Sequence, residues 1–266
     1  MSEFPAEWLA LREPADHGAV NFSVRHALIQ ALSRYTRMSA VDLGCGTGSN
    51  LRGLAPMIPC EQHWTLIDRD ADLLAAAQSA LAGFQASGLA SIAYRQADLS
   101  CEAIEPVIAG ASLVTGAALF DLFSAAAIDS LAAAAAANRQ LFTAVLTYDG
   151  IAAWIPASVH DGRMRDAFNR HQLSDKGFGP AAGPGAASLL AQAFARRGYR
   201  IVRGKSPWIL DASHPALRSA LDQGWVAAVR ETGLMPESEI AEWLVLRKRP
   251  ESVTIIGHED LLALPL

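Results

Sequence analysis

Short apolar runs alternate with longer amphipathic or alanine-rich stretches along this chain, the signature of strands alternating with helices. The run Ala40-Val41-Asp42-Leu43 ends in glycines at 44, 46 and 48, and an Ala/Leu-containing segment follows, so it predicts strand, tight turn and helix. A second run, Trp64-Thr65-Leu66-Ile67, closes on Asp68, with Asp70 placed to cap a helix that begins near residues 71–74. Residues 92–99 form a third such piece, and 111–121 predict strand four with its exit loop. Ser124 then caps an alanine-rich helix over 125–137, and 141–148 make strand five. The alternation breaks over 149–185, a segment rich in polar residues. It resumes with a helix over 186–197 ended by Gly198, strand six over 199–203, helices over 215–231 and 237–247, and a final strand at 252–256. Ahead of the first strand lie an amphipathic stretch at 7–14 and a helix-like one at 22–33.

With 266 residues, 51% of them hydrophobic, the chain has ample material for a full core. No uninterrupted apolar stretch reaches bilayer length, and Met1-Ser2-Glu3-Phe4-Pro5 lacks a basic start leading into an apolar segment, so a soluble, cytoplasmic protein without membrane partners is expected. Cys45, Cys60 and Cys101 are scattered without metal-ligand spacing, which predicts neither a disulfide framework nor a metal site, with Cys45 a small apolar filler of the turn. A net charge of −5 with no Lys/Arg-rich run argues against a nucleic-acid partner and toward small molecules.

The glycine turn names a ligand class. Glycine accepts positive φ and carries no side chain, so a nucleotide-like cofactor can lie against bare backbone at the mouth of a parallel sheet. A dinucleotide fingerprint places its third glycine five positions after the first, and here that position is Ser49. This disfavours an NAD-linked oxidoreductase. A carboxylate about 20 residues beyond the turn sits at the tip of the neighbouring strand, where it accepts both ribose hydroxyls. Asp68 takes that part.

The string Val41-Asp42-Leu43-Gly44-Cys45-Gly46-Thr47-Gly48 resembles the first motif of the class I S-adenosylmethionine-dependent methyltransferases. The resemblance implies a Rossmann-like α/β fold: a seven-stranded sheet with helices on both faces, a helical cap over 1–37 and a cofactor-binding domain over 38–266. Within that domain 149–185 reads as a substrate cover and 213–250 as a helical insertion. It also implies S-adenosylmethionine as cofactor, held by Asp42, Gly44, Cys45, Gly46 and Gly48 of the turn, Asp68 and Arg69, and Gly116 and Ala117 at the end of strand four. The segment Ile92 to Leu99 resembles the family's adenine-binding stretch, which puts Asp98 on the exocyclic amine with the Leu99 amide beside it. N-terminal helices of the family close over the cofactor, so Arg12 and Arg25 are candidates for the methionine carboxylate.

Methyl transfer from a sulfonium is an in-line displacement for which positioning supplies much of the rate. After strand four the chain reads Thr115-Gly116-Ala117-Ala118-Leu119-Phe120-Asp121, without the Pro-Pro-aromatic element of the family's nucleic-acid N-methyltransferases. Asp121 is either a base or a loop-holding cap. His171, in the polar run 168–180, is the imidazole candidate for general-base work. Arg170 and Lys176 suit an anionic substrate, with Tyr148 and Trp154 as further substrate contacts. The expected activity is methylation of a small molecule at oxygen, with nitrogen acceptors open. The alternatives are a cofactor-binding protein without transferase activity and an RNA or protein methyltransferase. The helical insertion is compatible with a homodimer.

Overall fold

The computed structural model describes residues 5–266; Met1-Ser2-Glu3-Phe4, most of the segment considered above for a leader, lies outside them. The elements run α1 (Ala6–Ala19), α2 (Phe22–Leu32), β1 (Arg37–Leu43), α3 (Ser49–Leu54), β2 (Glu61–Asp68), α4 (Ala71–Leu81), β3 (Leu89–Gln96), α5 (Ile104–Ile108) and β4 (Leu113–Ala117). The second half continues with α6 (Ala125–Ala137), β5 (Leu141–Ile155), α7 (Asp161–Gln172), α8 (Ala186–Ala195), β6 (Tyr199–Lys205), β7 (Trp208–Leu210), α9 (Pro215–Thr232), α10 (Glu237–Arg247) and β8 (Val253–Pro265).

The strands form one sheet in the order β3-β2-β1-β4-β5-β8-β6, with β7 also paired to β8. β1 to β5 are mutually parallel and β8 runs antiparallel between β5 and β6. The seven expected strands are present, and the three-residue β7 makes an eighth. Period-2 alternation covers both faces. Ala40, Trp64 and Leu66 point toward α2, α3 and α4, whereas Val41, Leu43 and Phe142 point toward α5, α6 and α8. Local chemistry fixes the helix starts: Asn21 accepts from Ser23 N and Val24 N, Asp70 from Asp72 N and Leu73 N, and Ser124 from Ala127 N.

Three stretches differ from the sequence expectation. β5 continues seven residues past Tyr148 to Ile155, because Ala152 and Trp154 are buried while Ile151 and Ile155 face outward, a period-2 pattern. β8 runs from Val253 to Pro265, through the polar Gly257-His258-Glu259-Asp260, because Glu259 and Asp260 are satisfied by neighbours and the His258 ring packs edge-on to Tyr148 and Trp208. Asp260 accepts from Leu146 N and Ser206 Oγ on one oxygen and from Asn21 N on the other, and Glu259 pairs with Arg203 and Lys205. The polar run from 168 is helical up to Gln172: α7 buries Met164 and Ala167 and packs on α9. A third cluster, rich in tryptophan, results from β5's extension, α7, α9 and α10. No helix among the described residues is long and apolar enough to cross a membrane.

Candidate functional site

The carboxyl ends of the parallel strands open into a cavity of about 460 Å³. Its first part is built from the tips of β1, β2 and β3: Gly44 to Thr47, Asp68 to Asp70, and Ala97 to Leu99. Gly44 and Gly46 have φ of +61° and +52°, and a Cβ at either would come within 2.8 Å of Leu119 or Leu9, so glycine is required both by the turn and by the side chains closing on it. Gly48, at φ +82°, starts α3 from behind the wall.

Asp68 links the first two tips. Its Oδ2 accepts from Gly46 N at 2.8 Å and its Oδ1 from Asp70 N at 3.0 Å. A carboxylate has about four acceptor positions, so each oxygen keeps one lone pair for a ligand hydroxyl. Asp98 accepts from Ser100 N and Ser100 Oγ, and these bonds hold its carboxyl below the usual range. Asp42 is fully buried beneath the turn, where Asn50 Nδ2 donates to its Oδ1 at 2.8 Å and also to Thr115 Oγ1. Its Oδ2 has no partner, and burial pushes the carboxyl up to about 7, with the nearby Asp68 charge adding to the rise. An orphaned buried carboxyl oxygen beneath a rim carrying Asp68, Asp70 and Asp98 fits a cofactor that brings positive charge and a vicinal diol. Cys45 is buried in the turn and burial raises its thiol, in keeping with a filler.

The opposite wall comes from α1 and the exits of β4 and β5. Arg12 lines the cavity but is committed to Asp16, Nε to Oδ2 at 2.8 Å, and lies over the Trp208 ring. Ala117, Leu119 and Leu122 also line it, whereas Gly116 and Asp121 do not; Gly116 is packed against Phe120 and Leu43 O. Asp121 Oδ1 is sealed from solvent without a hydrogen-bond partner, and burial pushes its carboxyl up to about 6 against the pull of Arg12. Lys176 and Phe178, on the loop after α7, reach the cavity, with Phe178 stacked on Phe123 at 4.2 Å.

Besides Asp121, four residues read as substrate or catalytic candidates are not brought to this cavity. His171 sits in the last turn of α7 with Nε2 2.9 Å from Glu231, and Arg170 beside it is likewise off the wall. Trp154 is buried at right angles to Trp225 and Trp243, and Tyr148 is buried with its hydroxyl donating to Asn169 Oδ1. The aromatic cluster uses these side chains as core. Conversely, Asn50, His17 and Leu122 belong to the site or its frame without having stood out in the sequence. His17 Nε2 lies 3.0 Å from Ser49 O, which ties α1 to α3. Only the position of Asn50 two residues past the last turn glycine offered a signal.

Residues 40–140 match the family model described as "Methyltransferase domain". No curated protein matches the sequence. Among solved structures, the YcgJ protein of Bacillus subtilis is 11% identical, with 92% of this chain and 100% of that one covered at a TM-score of 0.51. A methyltransferase of Geobacter sulfurreducens, dependent on S-adenosylmethionine and solved with S-adenosyl-L-homocysteine, is 17% identical over the full length of both chains at a TM-score of 0.49. The family match spans the glycine turn, Asp68, Asp70, Asp98 and strand four, elements that line or frame the cavity. Over residues 40–140 the chain is therefore similar to methyltransferase domains, and over most of its length it shares the fold of the YcgJ protein.

Proposed function

We propose that this chain is a class I S-adenosylmethionine-dependent methyltransferase that acts on a small-molecule acceptor, at oxygen, with the acceptor entering between α1, the β4 exit and β5. The observation that carries the reading is the cavity itself: beyond the rim its apolar wall comes from Val24 and Leu28 of α2, Leu119 and Leu122 of the β4 exit and Val145 and Leu146 of β5, and it is not a basic, extended groove of the kind a nucleic acid needs. Asp68 holds the ribose hydroxyls on its two remaining lone pairs, Asp98 receives the adenine amine, and the backbone from Gly44 to Gly46 supports the methionine part. Gly48 shapes that turn, and Arg69 and Leu99 flank the adenine. When bound, S-adenosylmethionine supplies a methyl group on a sulfonium that leaves as a neutral thioether.

Asp121 lies behind the wall made by Leu119 and Leu122 and is proposed to position that loop, with alignment of acceptor and methyl group supplying the rate. Its carboxyl takes a backbone hydrogen bond, its Oδ1 is buried without a partner, and burial pushes the group up to about 6. The loop carrying Lys176 and Phe178 serves as cover. The test is methyl transfer from methyl-labelled S-adenosylmethionine to fractions of a cell extract. Label is expected in material that passes a small-molecule cut-off filter; label confined to protein or RNA refutes the reading.

A further inference from the structure

The cavity extends beyond what a cofactor on the β1 to β3 tips accounts for. Its second arm lies across β4, on the β5 side of the sheet, with Thr143, Val145 and Leu146 of β5 as floor. α2 roofs it with Val24, Arg25 and Leu28, and Leu54 and Met57 flank it from α3 and the turn that follows. The polar groups bordering this arm are already engaged: Thr143 Oγ1 donates to Leu261 O, and the Asn50 amide donates to Asp42 and Thr115.

Arg25 is the exception. Arg12 and Arg52, on the same cavity walls, are each neutralised, by Asp16 and Glu13 respectively. Arg25 has no ion pair with any carboxylate among the described residues. Asp260, which feels its charge, has both oxygens taken by Leu146 N, Ser206 Oγ and Asn21 N. Those same bonds make the arm rigid. Asn21 N and Asn21 Nδ2 tie the start of α2 to Asp260 and to Lys205 O, and Asp260 holds Leu146 at φ +56°. Leu146 and Ala118, at φ +49°, are strained non-glycine residues that both stand on the cavity wall.

An apolar arm with one guanidinium selects an amphipathic anion. A single charge on the ligand balances a single arginine, whereas a phosphate monoester, at about −1.5 to −2, would bring uncompensated charge into apolar surroundings. We propose that this arm is the acceptor subsite, and that the acceptor is a monocarboxylate with an apolar body. Its carboxylate pairs with Arg25, its body lies beneath α2, and its nucleophile points to the Leu119 and Leu122 end of the cavity. The inference rests on the methyltransferase reading of the same cavity and adds the acceptor's chemical class.

Calorimetry on the full chain saturated with S-adenosylhomocysteine tests it, with ω-hydroxyhexanoate, ω-hydroxyoctanoate and ω-hydroxydecanoate set against the diols of the same lengths. At least one acid is expected to bind roughly tenfold or more tighter than its diol, as a charge-assisted pair with arginine requires. Arg25→Met is expected to erase that preference while S-adenosylhomocysteine affinity stays within about twofold. Leu28→Trp, which fills the arm, is expected to abolish acid binding with cofactor affinity intact. Equal affinity for acids and diols, or no binding of either to the loaded protein, overturns the acceptor class and leaves the methyltransferase standing. A loss of S-adenosylhomocysteine affinity in Arg25→Met reassigns Arg25 to the cofactor and also overturns it. Failure of the unmodified chain to bind S-adenosylhomocysteine removes both readings together.

Discussion

The rim at the tips of β1 to β3 and the tryptophan cluster under α7, α9 and α10 use polar and aromatic residues in opposite ways. At the rim, carboxylates are positioned by adjacent backbone donors: Asp68 by Gly46 and Asp70, Asp98 by Ser100. Acceptor capacity is left over for a ligand. In the cluster, groups that look chemically available are consumed by packing. Trp225 stacks on Phe168 at 3.9 Å and meets Trp154 edge-on at 5.0 Å, and Trp243 Nε1 donates to Asp161. One region holds chemistry open and the other closes it off, so a residue's type predicts its role less well than whether its neighbours leave anything unsatisfied.

Substitutions can break this comparison. The largest effect is expected at Trp225, which is 2% exposed: Trp225→Ala should cost about 4 kcal/mol of stability in urea unfolding. S-adenosylhomocysteine affinity of the folded fraction should be unchanged, and a matching loss of cofactor binding would mean the two regions are not separate. Asp68→Ala should do the reverse, weakening cofactor binding by about 3 kcal/mol, roughly 150-fold in calorimetry, through two lost charge-assisted bonds. Unchanged affinity would remove Asp68 from the ribose.

Asp121 tests the polar side by pH. A carboxyl behind the wall moves no proton of the acceptor, so Asp121→Asn should change the transfer rate by less than about tenfold and leave the shape of its pH profile unchanged, whereas loss of a limb near pH 6 with roughly a hundredfold in rate would make Asp121 the base. Stability does respond to pH. Burial raises the folded-state value above the unfolded one, so the neutral acid's contribution is complete below about pH 4 and is lost as pH climbs through about 6. At pH values above both, Asp121→Asn should therefore melt no lower than the parent. The smallest effect is expected from Glu231→Gln, which removes the partner of His171. That carboxylate is 70% exposed, so the change should stay within about 1 kcal/mol in thermal unfolding, with transfer intact. A large loss of rate would return His171 to the chemistry.

How much of this was legible in the sequence follows from the same contrast. The rim is written in contiguous residues, because a strand tip, its turn and the next helix start are fixed locally. Gly44 to Gly48, Asp68 with Asp70, and Asp98 were readable one motif at a time. The second arm was not, because Val24, Met57 and Val145 meet only when α2 is pinned to β8 by Asn21 and Asp260, residues far apart in the chain. Trp154 and His171 were misplaced for a related reason. The alternation from Ile151 to Ile155 did announce a longer strand, and Met164 with Ala167 announced a helical face, but which partner covers a strand or a helix is a tertiary fact.

The most direct test of the division between a cofactor rim and an acceptor arm is the crystal structure of the full chain with S-adenosylhomocysteine. The expected result places both ribose hydroxyls on Asp68, the adenine beside Asp98 and Leu99, and the thioether toward Leu119 and Leu122, with the space beneath α2 left to the acceptor. A nucleoside lying along Val145 and Leu28, with Asp68 contacting only Gly46 and Asp70, would contradict it.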